Sequence, residues 1–441
     1  MRGVTATFRP VLLWASIAAA VTAALLTPVV AVTGYMALQD FGEWNYQGYV
    51  LGRGLRGESL GVATLKDYPV PYTIGNLLTG GLGAVSSPFV AGIVAIAIQV
   101  IAGALAVAYV IRNRGLDWRV ALPVLGTLTI LGSGLWNGYA AHQLGLAVFT
   151  ASLAIPRERR THPGVVVLFS LLTFFSHALV FFSYVLVLGV LTLADRRVVR
   201  VSLSMVPSVG LTLWYAANSP PEAAGGGVSI ASPESWIAYK GYTFAKSGGY
   251  QNLLVNGVGD DRLLVLLGAA ANAATVGLVI LLALPVASKM RPSTWRRDPD
   301  LLSGVVLFTM GLALPAFFLG IVNPAERLIG PGLILVAVAA LETHTWPRVG
   351  VMAAAAACTG LLLTGVSTAT LAAKSEQGDA ARQDPSPAFD ESAGSRLDVL
   401  FGHRLDQMET RYDAAERAWK EGAEPSVPLI FDEGLLLPSD R

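Results

Sequence analysis

The run GVVVLFSLLTFFSHALVFFSYVLVLGVLTLA, Gly164 to Ala194, carries no Asp, Glu, Lys or Arg. It is bounded by Arg157, Arg159 and Arg160 before it and by Arg196, Arg197 and Arg200 after it. Basic clusters mark the helix ends that stay in the cytoplasm, so a run flanked by two of them crosses an even number of times. Two short helices turning near Ser176-His177 satisfy that rule. One long tilted helix also fits the apolar length, but it would place Arg196 to Arg200 outside and invert every later segment.

Working outward, the same logic covers the chain. Its 441 residues are 53% apolar and only 14% charged, with a mean hydropathy of +0.56. A soluble domain carries about 25% charged residues, so an ordinary soluble enzyme is excluded, as is a disordered chain. The formal charge of +1 removes the electrostatic case for nucleic acid. The single cysteine, Cys358, lies in an apolar stretch and offers neither a disulfide nor a thiolate metal site.

A first apolar segment, Pro10 to Leu38, is too long for a cleaved signal peptide and reads as an anchor with its N-terminus inside. Further stretches fall at 88–111, 119–136, 138–155, 201–217, 263–288, 301–321, 328–341 and 349–371. Arg112, Arg114 and Arg119, with Lys289, Arg291, Arg296 and Arg297, complete the basic clusters. The expected fold class is an all-α polytopic membrane protein of about 11 transmembrane helices, N-terminus cytoplasmic and C-terminus extracytoplasmic. Residues 1–371 form the transmembrane domain, with outer loops at 39–87 and 218–262. Residues 372–441 form an extracytoplasmic tail, with a polar linker, an amphipathic helix at about 396–420 and a short strand at Pro428 to Phe431. The apolar face of that helix suits a membrane surface or an envelope protein partner.

Four segments carry candidate chemistry. In Asp40-Phe41-Gly42-Glu43-Trp44-Asn45-Tyr46-Gln47-Gly48 two carboxylates sit at a membrane–water boundary among aromatic and amide side chains. Asp40 or Glu43 there can act as a general base, and Trp44 as a substrate contact. The bland alternative is a wetted helix end beside an aromatic belt. In Gly134-Leu135-Trp136-Asn137-Gly138-Tyr139-Ala140-Ala141-His142-Gln143-Leu144-Gly145, the polar Asn137, His142 and Gln143 are costly in lipid and should face a cavity or a partner helix. His177, inside the long run, can donate to a phosphate or a sugar hydroxyl, or bridge helices. In Asn323-Pro324-Ala325-Glu326-Arg327, the guanidinium of Arg327 suits a lipid-linked phosphate or a lipid headgroup. Lys240, beside Tyr239, is a weaker candidate of the same kind. No Walker-type lysine, dinucleotide loop or metal-ligand cluster is evident in the sequence.

The order of these features resembles the GT-C superfamily of integral-membrane glycosyltransferases. The resemblance lies in a first inside-to-outside helix, a large outer loop with an acidic residue at its start, here Asp40 with Glu43, and Trp136-Asn137-Gly138 before Gly145-Leu146-Ala147. Ser176-His177 within a later apolar run and the late Arg327 extend it over roughly residues 10–371. The chain departs from the family in the separation of its two carboxylates, in Ser-His-Ala where relatives have Ser-His-Pro, and in its tail. The resemblance implies a sugar donor linked to polyprenyl phosphate, an inverting transfer with Asp40 or Glu43 as base, and Arg327, His177 and Lys240 around the donor phosphate. Trp44, Asn137, His142 and Gln143 would contact substrate. It implies no cofactor beyond an optional single divalent cation at Asp40 and Glu43, and a bacterial plasma membrane with the site facing outward. The competing expectations are a transporter or lipid flippase and a non-catalytic subunit of an envelope assembly.

Overall fold

The computed structural model describes residues 10–13, 15–17, 19–20, 41–60, 63–136, 138–218, 240, 277–278, 281, 284, 298–314, 317–318, 321–322, 324–343, 348–353, 355–356, 360 and 435–438. Asp40, Asn137, Cys358, the tail helix expected at 396–420 and the strand expected at 428–431 lie outside them. These residues are mostly helical: α1 (Phe41–Leu55), α2 (Thr73–Val85), α3 (Pro88–Arg114), α4 (Trp118–Thr129), α5 (Ser133–Trp136), α6 (Ala140–Leu153), α7 (Arg157–Arg160), α8 (Pro163–Ser176), α9 (Ala178–Asp195), α10 (Val198–Asn218), α11 (Pro299–Ala313) and α12 (Pro324–Thr343). Two small antiparallel ladders join them, β1 (Ala63–Leu65) with β4 (Leu436–Pro438), and β2 (Phe317–Phe318) with β3 (Ile321–Val322).

Helices α3, α9 and α10 are long and apolar enough to cross a membrane; α6, α8 and α11 are shorter apolar helices. α3 shows how the sequence sets such an element. Ser87 caps its start by accepting from the Val90 N–H, Pro88 occupies the first turn, and Gly115 ends it in the left-handed region at φ 64°. Arg112 and Arg114 sit in its last turn, where the helix dipole favours cations. At about 1.5 Å per residue the helix is roughly 40 Å long, more than the ~30 Å hydrocarbon core.

The run 164–194 is two helices, α8 and α9, that meet at His177. His177 is extended (φ −166°, ψ 130°), so the α8 ladder stops there, and its Nδ1 accepts from the Leu179 N–H to cap α9. Arg157, just before α8, pairs with Asp195 at the end of α9 at 3.0 Å. Arg197 donates to Thr161 Oγ1 at 2.9 Å and to the Glu158 carbonyl at 3.2 Å. The two far ends are therefore tied together, and α8 and α9 run antiparallel with His177 at the opposite tip.

A larger ionic cluster lies at the end of the bundle where α3, α6 and α12 stop and α11 starts. Asp300 accepts from Arg114 at 2.5 Å and from Arg160 at 2.6 Å, and Arg114 also reaches Glu342 at 2.6 Å. The same guanidiniums donate to the Leu153 and Ile155 carbonyls, so both are held by charge and by backbone. Between this end and the His177 tip runs one continuous apolar core that includes Val107, Leu125, Phe149, Val180, Leu191, Leu328 and Ile334.

α1 and α2 approach closely enough that a Cβ at Gly48 would lie 2.4 Å from Thr79 Cβ. α11 and α12 cross in the same way, each of Gly304 and Gly332 lying against the other's carbonyl. α11 ends earlier than the apolar stretch to 321 suggests. Leu314 precedes Pro315 and is pushed to ψ 142°, away from helix, and the β2–β3 hairpin then turns the chain into α12.

Residues 435–438, near the end of the chain, are held by a strand ladder. β4 pairs with β1 in the register Thr64↔Leu437, and the Lys66 N–H extends the ladder to the Leu435 carbonyl at 2.9 Å. Leu436 is fully buried in a cluster with Tyr46, Tyr49 and Val50 of α1 and with Ala63. The apolar residue thus seats β4 on the face of α1 that carries Tyr46, Tyr49 and Val50, while Gln47 on another face accepts from Asn76 of α2 at 2.9 Å.

Candidate functional site

At the tip opposite the ionic cluster, polar and aromatic side chains from five separate segments converge. Trp44 of α1 stacks near Tyr72 (ring centroids 5.5 Å), and Tyr72 meets His177 edge-on at 5.0 Å. His177 meets His142 of α6 edge-on at 4.9 Å, and Tyr139 lies 6.5 Å beyond His142. The guanidinium of Arg327 sits 4.4 Å from the Tyr139 ring centroid, a cation–π contact. Every member of this chain of rings is buried.

Each group is oriented by its local structure. Arg327 falls in the first turn of α12, where the helix dipole favours an anion rather than a cation. A buried guanidinium there makes the tip electropositive and suited to a phosphate-sized anion. His142 Nε2 lies 3.4 Å from the Arg327 carbonyl. A carbonyl only accepts, so Nε2 carries the proton and Nδ1 is left as an acceptor. His177 is the opposite tautomer: its Nδ1 accepts from the Leu179 N–H, so its proton is on Nε2, on the far side of the ring. Gln143 donates from Nε2 to the carbonyls of Thr129 at 2.5 Å and Ile130 at 3.3 Å, which turns Oε1 the other way.

Of the residues expected from sequence, His142, His177, Arg327 and Trp44 come together, and Gln143 borders them. Asp40 and Asn137 lie outside the described residues, and Glu43 is placed only as a position in the first turn of α1. Lys240 is held elsewhere on the same side. Its Nζ donates to the carbonyls of Gly311, at 3.3 Å, and Leu314, closing the C-terminal end of α11. Burial there pushes its ammonium below the ordinary lysine range. Among the described residues no group of three or more His, Cys, Asp or Glu could hold a metal ion.

The sequence alone assigns no role to Tyr72 or Tyr139. Tyr72 had one signal, its place after Pro71 at the end of the aromatic first loop. Tyr139 sits two residues after Asn137 and directly before α6, so its ring reaches both His142 and Arg327. No protein-family model matches the chain, and neither a curated protein nor a solved structure shows a significant match to it.

Proposed function

We propose that the protein is a membrane glycosyltransferase that moves a sugar from a polyprenyl-phosphate carrier to a hydroxyl acceptor on the extracytoplasmic side, with inversion. The observation that carries the proposal is the continuous series Trp44–Tyr72–His177–His142–Tyr139–Arg327. It runs from Trp44, which follows Glu43 in the sequence, to a buried cation in the first turn of α12. That is the pairing an inverting transfer from a phosphate leaving group requires.

The chemistry follows from those two ends. A carboxylate of Asp40 or Glu43 takes the proton of the acceptor O–H, and the oxygen attacks the anomeric carbon opposite the phosphate. The bond from that carbon to the phosphate oxygen breaks, and the carrier leaves as polyprenyl phosphate. The departing dianion needs charge and hydrogen-bond donors, which Arg327 and the Nε2–H of His177 supply. Aromatic faces at Trp44, Tyr72 and Tyr139 suit the apolar face of a sugar ring. The ionic cluster around Asp300 ties α3, α11 and α12 together at the other end of the bundle.

The test is a structure of the protein in nanodiscs with a polyprenyl-phosphate sugar bound. Phosphate density at Arg327 with the anomeric carbon facing Asp40 or Glu43 supports the reading. An unoccupied tip, or a lipid path passing beside the Asp300 cluster, sinks it in favour of transport.

A further inference from the structure

α10 leaves one side exposed along its length. Val199, Leu203, Val206 and Leu213 recur on it at helical spacing and are 74%, 67%, 60% and 66% exposed. At about 1.5 Å per residue the stretch from Val199 to Leu213 is about 20 Å long, enough to line one leaflet of a ~30 Å hydrocarbon core. This apolar stripe begins among arginines. Arg196, Arg197 and Arg200 are exposed beside Val198 and Val199, and Arg159 is exposed close by, since Arg197 donates to the Glu158 carbonyl. Among the described residues no carboxylate pairs with Arg159, Arg196 or Arg200, and Asp195 is taken by Arg157.

Arg196 also stands where an arginine is costly. At φ 56° it is the one non-glycine residue in the left-handed region among the described residues. Its N–H and that of Arg197 both close α9 on the Thr192 carbonyl. Glycine usually ends a helix in this way, as Gly115 ends α3. A cation serving only the helix dipole could stand in the last turn, as Arg112 and Arg114 do in α3. A strained backbone that holds a charged, exposed side chain points to a ligand for that side chain.

We infer that the α9–α10 turn and the exposed stripe of α10 bind an acidic phospholipid, with the headgroup phosphate on Arg196 and Arg200 and an acyl chain along Val199 to Leu213. Charge complementarity selects the occupant. The surface calls for a molecule that is apolar over one leaflet and anionic at one end, and the guanidinium fork suits its phosphate. A zwitterionic lipid supplies the chain but carries its own cation to the arginines. The turn lies at the end of α9 away from His177, so the inference does not depend on the glycosyltransferase reading.

The test is native mass spectrometry of the full chain in detergent, titrated with phosphatidylglycerol or with phosphatidylcholine of the same acyl chains. The first phosphatidylglycerol should bind at least about tenfold more tightly than the first phosphatidylcholine. Arg200→Gln should lower that ratio by about fivefold, the scale of one arginine at an anionic headgroup. Arg196→Gly combined with Arg200→Gln should abolish it, while unfolding near the wild-type temperature because glycine suits the left-handed position. Arg119→Gln, which removes an exposed arginine of α4, should leave the ratio unchanged. Leu203→Ser should weaken both lipids by a similar factor. Equal affinity of the wild type for the two lipids, or a preference that survives the paired arginine substitutions, overturns the site. A dimer that forms without acidic lipid and that Leu203→Ser breaks would mean that a second copy of the chain covers α10, and overturns it as well.

Discussion

His142 and His177 meet edge to face at 4.9 Å with their ring planes 83° apart, and each is locked into its tautomer by a backbone group on its outer side. His177 caps α9 through Nδ1, and under the proposed function it has a second, separable duty, donating to the phosphate through Nε2. His177→Ala should lose both. Its stability should fall by about 1 kcal/mol, the usual cost of a lost N-cap. His177→Asn keeps a good cap without burying a charge, but its shorter side chain does not reach the place of Nε2. It should keep more stability in detergent than His177→Ala and lose undecaprenyl phosphate binding at least about tenfold. Equal loss of stability in the two variants would mean that the ring serves packing alone.

Arg327 supplies charge and a planar fork, and a lysine supplies only the charge. Arg327→Lys should keep part of the phosphate affinity, whereas Arg327→Gln should lose about 2 kcal/mol or more, the scale of a hydrogen bond to a charged group. Retained affinity in Arg327→Gln would mean that the phosphate does not bind at α12.

The sequence carried the helices more clearly than the site. The charge clusters at 157–160 and 196–200 pointed to a turn near Ser176-His177 by a rule that needs no tertiary contacts, and two helices do meet at His177. Arg327, His142 and His177 stood out for the same reason, as polar groups in apolar runs. Their meeting was not legible, since it depends on how α6, α8, α9 and α12 pack. Tyr72 and Tyr139 were missed because an aromatic residue near a membrane boundary looks the same whether it lines a site or a lipid interface. The C-terminal strand was equally hidden. Leu435-Leu436-Leu437 is a short apolar run like many others here, and only pairing with Ala63–Leu65 makes it a strand.

Asp300 joins two guanidiniums from different parts of the bundle. Asp300→Asn would leave Arg160, which is buried, without its carboxylate. Removing one partner of a buried pair costs about 3 kcal/mol or more, so unfolding in detergent should shift well below the wild type. A change within about 0.5 kcal/mol, the range of an exposed pair, would mean that water screens this cluster.

The C-terminal ladder predicts a covalent bond. With Cys358 replaced by Ala, the pair Thr64→Cys and Leu437→Cys should form a disulfide under mild oxidation, because directly opposed residues of an antiparallel ladder lie within disulfide range. Thr64→Cys with Leu435→Cys, two residues out of register, serves as the control and should cross-link poorly. Leu436→Ala should loosen the same contact, at a cost of about 2–4 kcal/mol for a fully buried leucine. Equal cross-linking of both pairs would mean that the strand has no fixed register.

Tyr46 gives that contact a pH signature. Burial against Leu436 and its neighbours, with Tyr49 adding to the effect, pushes the phenol up to about 12 from 10.0. A raised phenol binds its proton more tightly in the folded state than in the unfolded chain, so it changes nothing below pH 10. Between pH 10 and 12 the unfolded tyrosine ionises while the folded one stays neutral, and stability falls as pH rises. Tyr46→Phe removes that proton and should flatten the alkaline part of the curve, leaving the neutral part shifted only by the lost hydroxyl. The measurement is the unfolding temperature of both proteins from pH 8 to pH 11. The disulfide-linked Thr64→Cys/Leu437→Cys protein should show the same alkaline slope as the wild type, because the cross-link holds the strand without changing the burial of the phenol. Parallel slopes for the wild type and Tyr46→Phe would show that the phenol is in contact with water, and that the C-terminal strand does not cover α1.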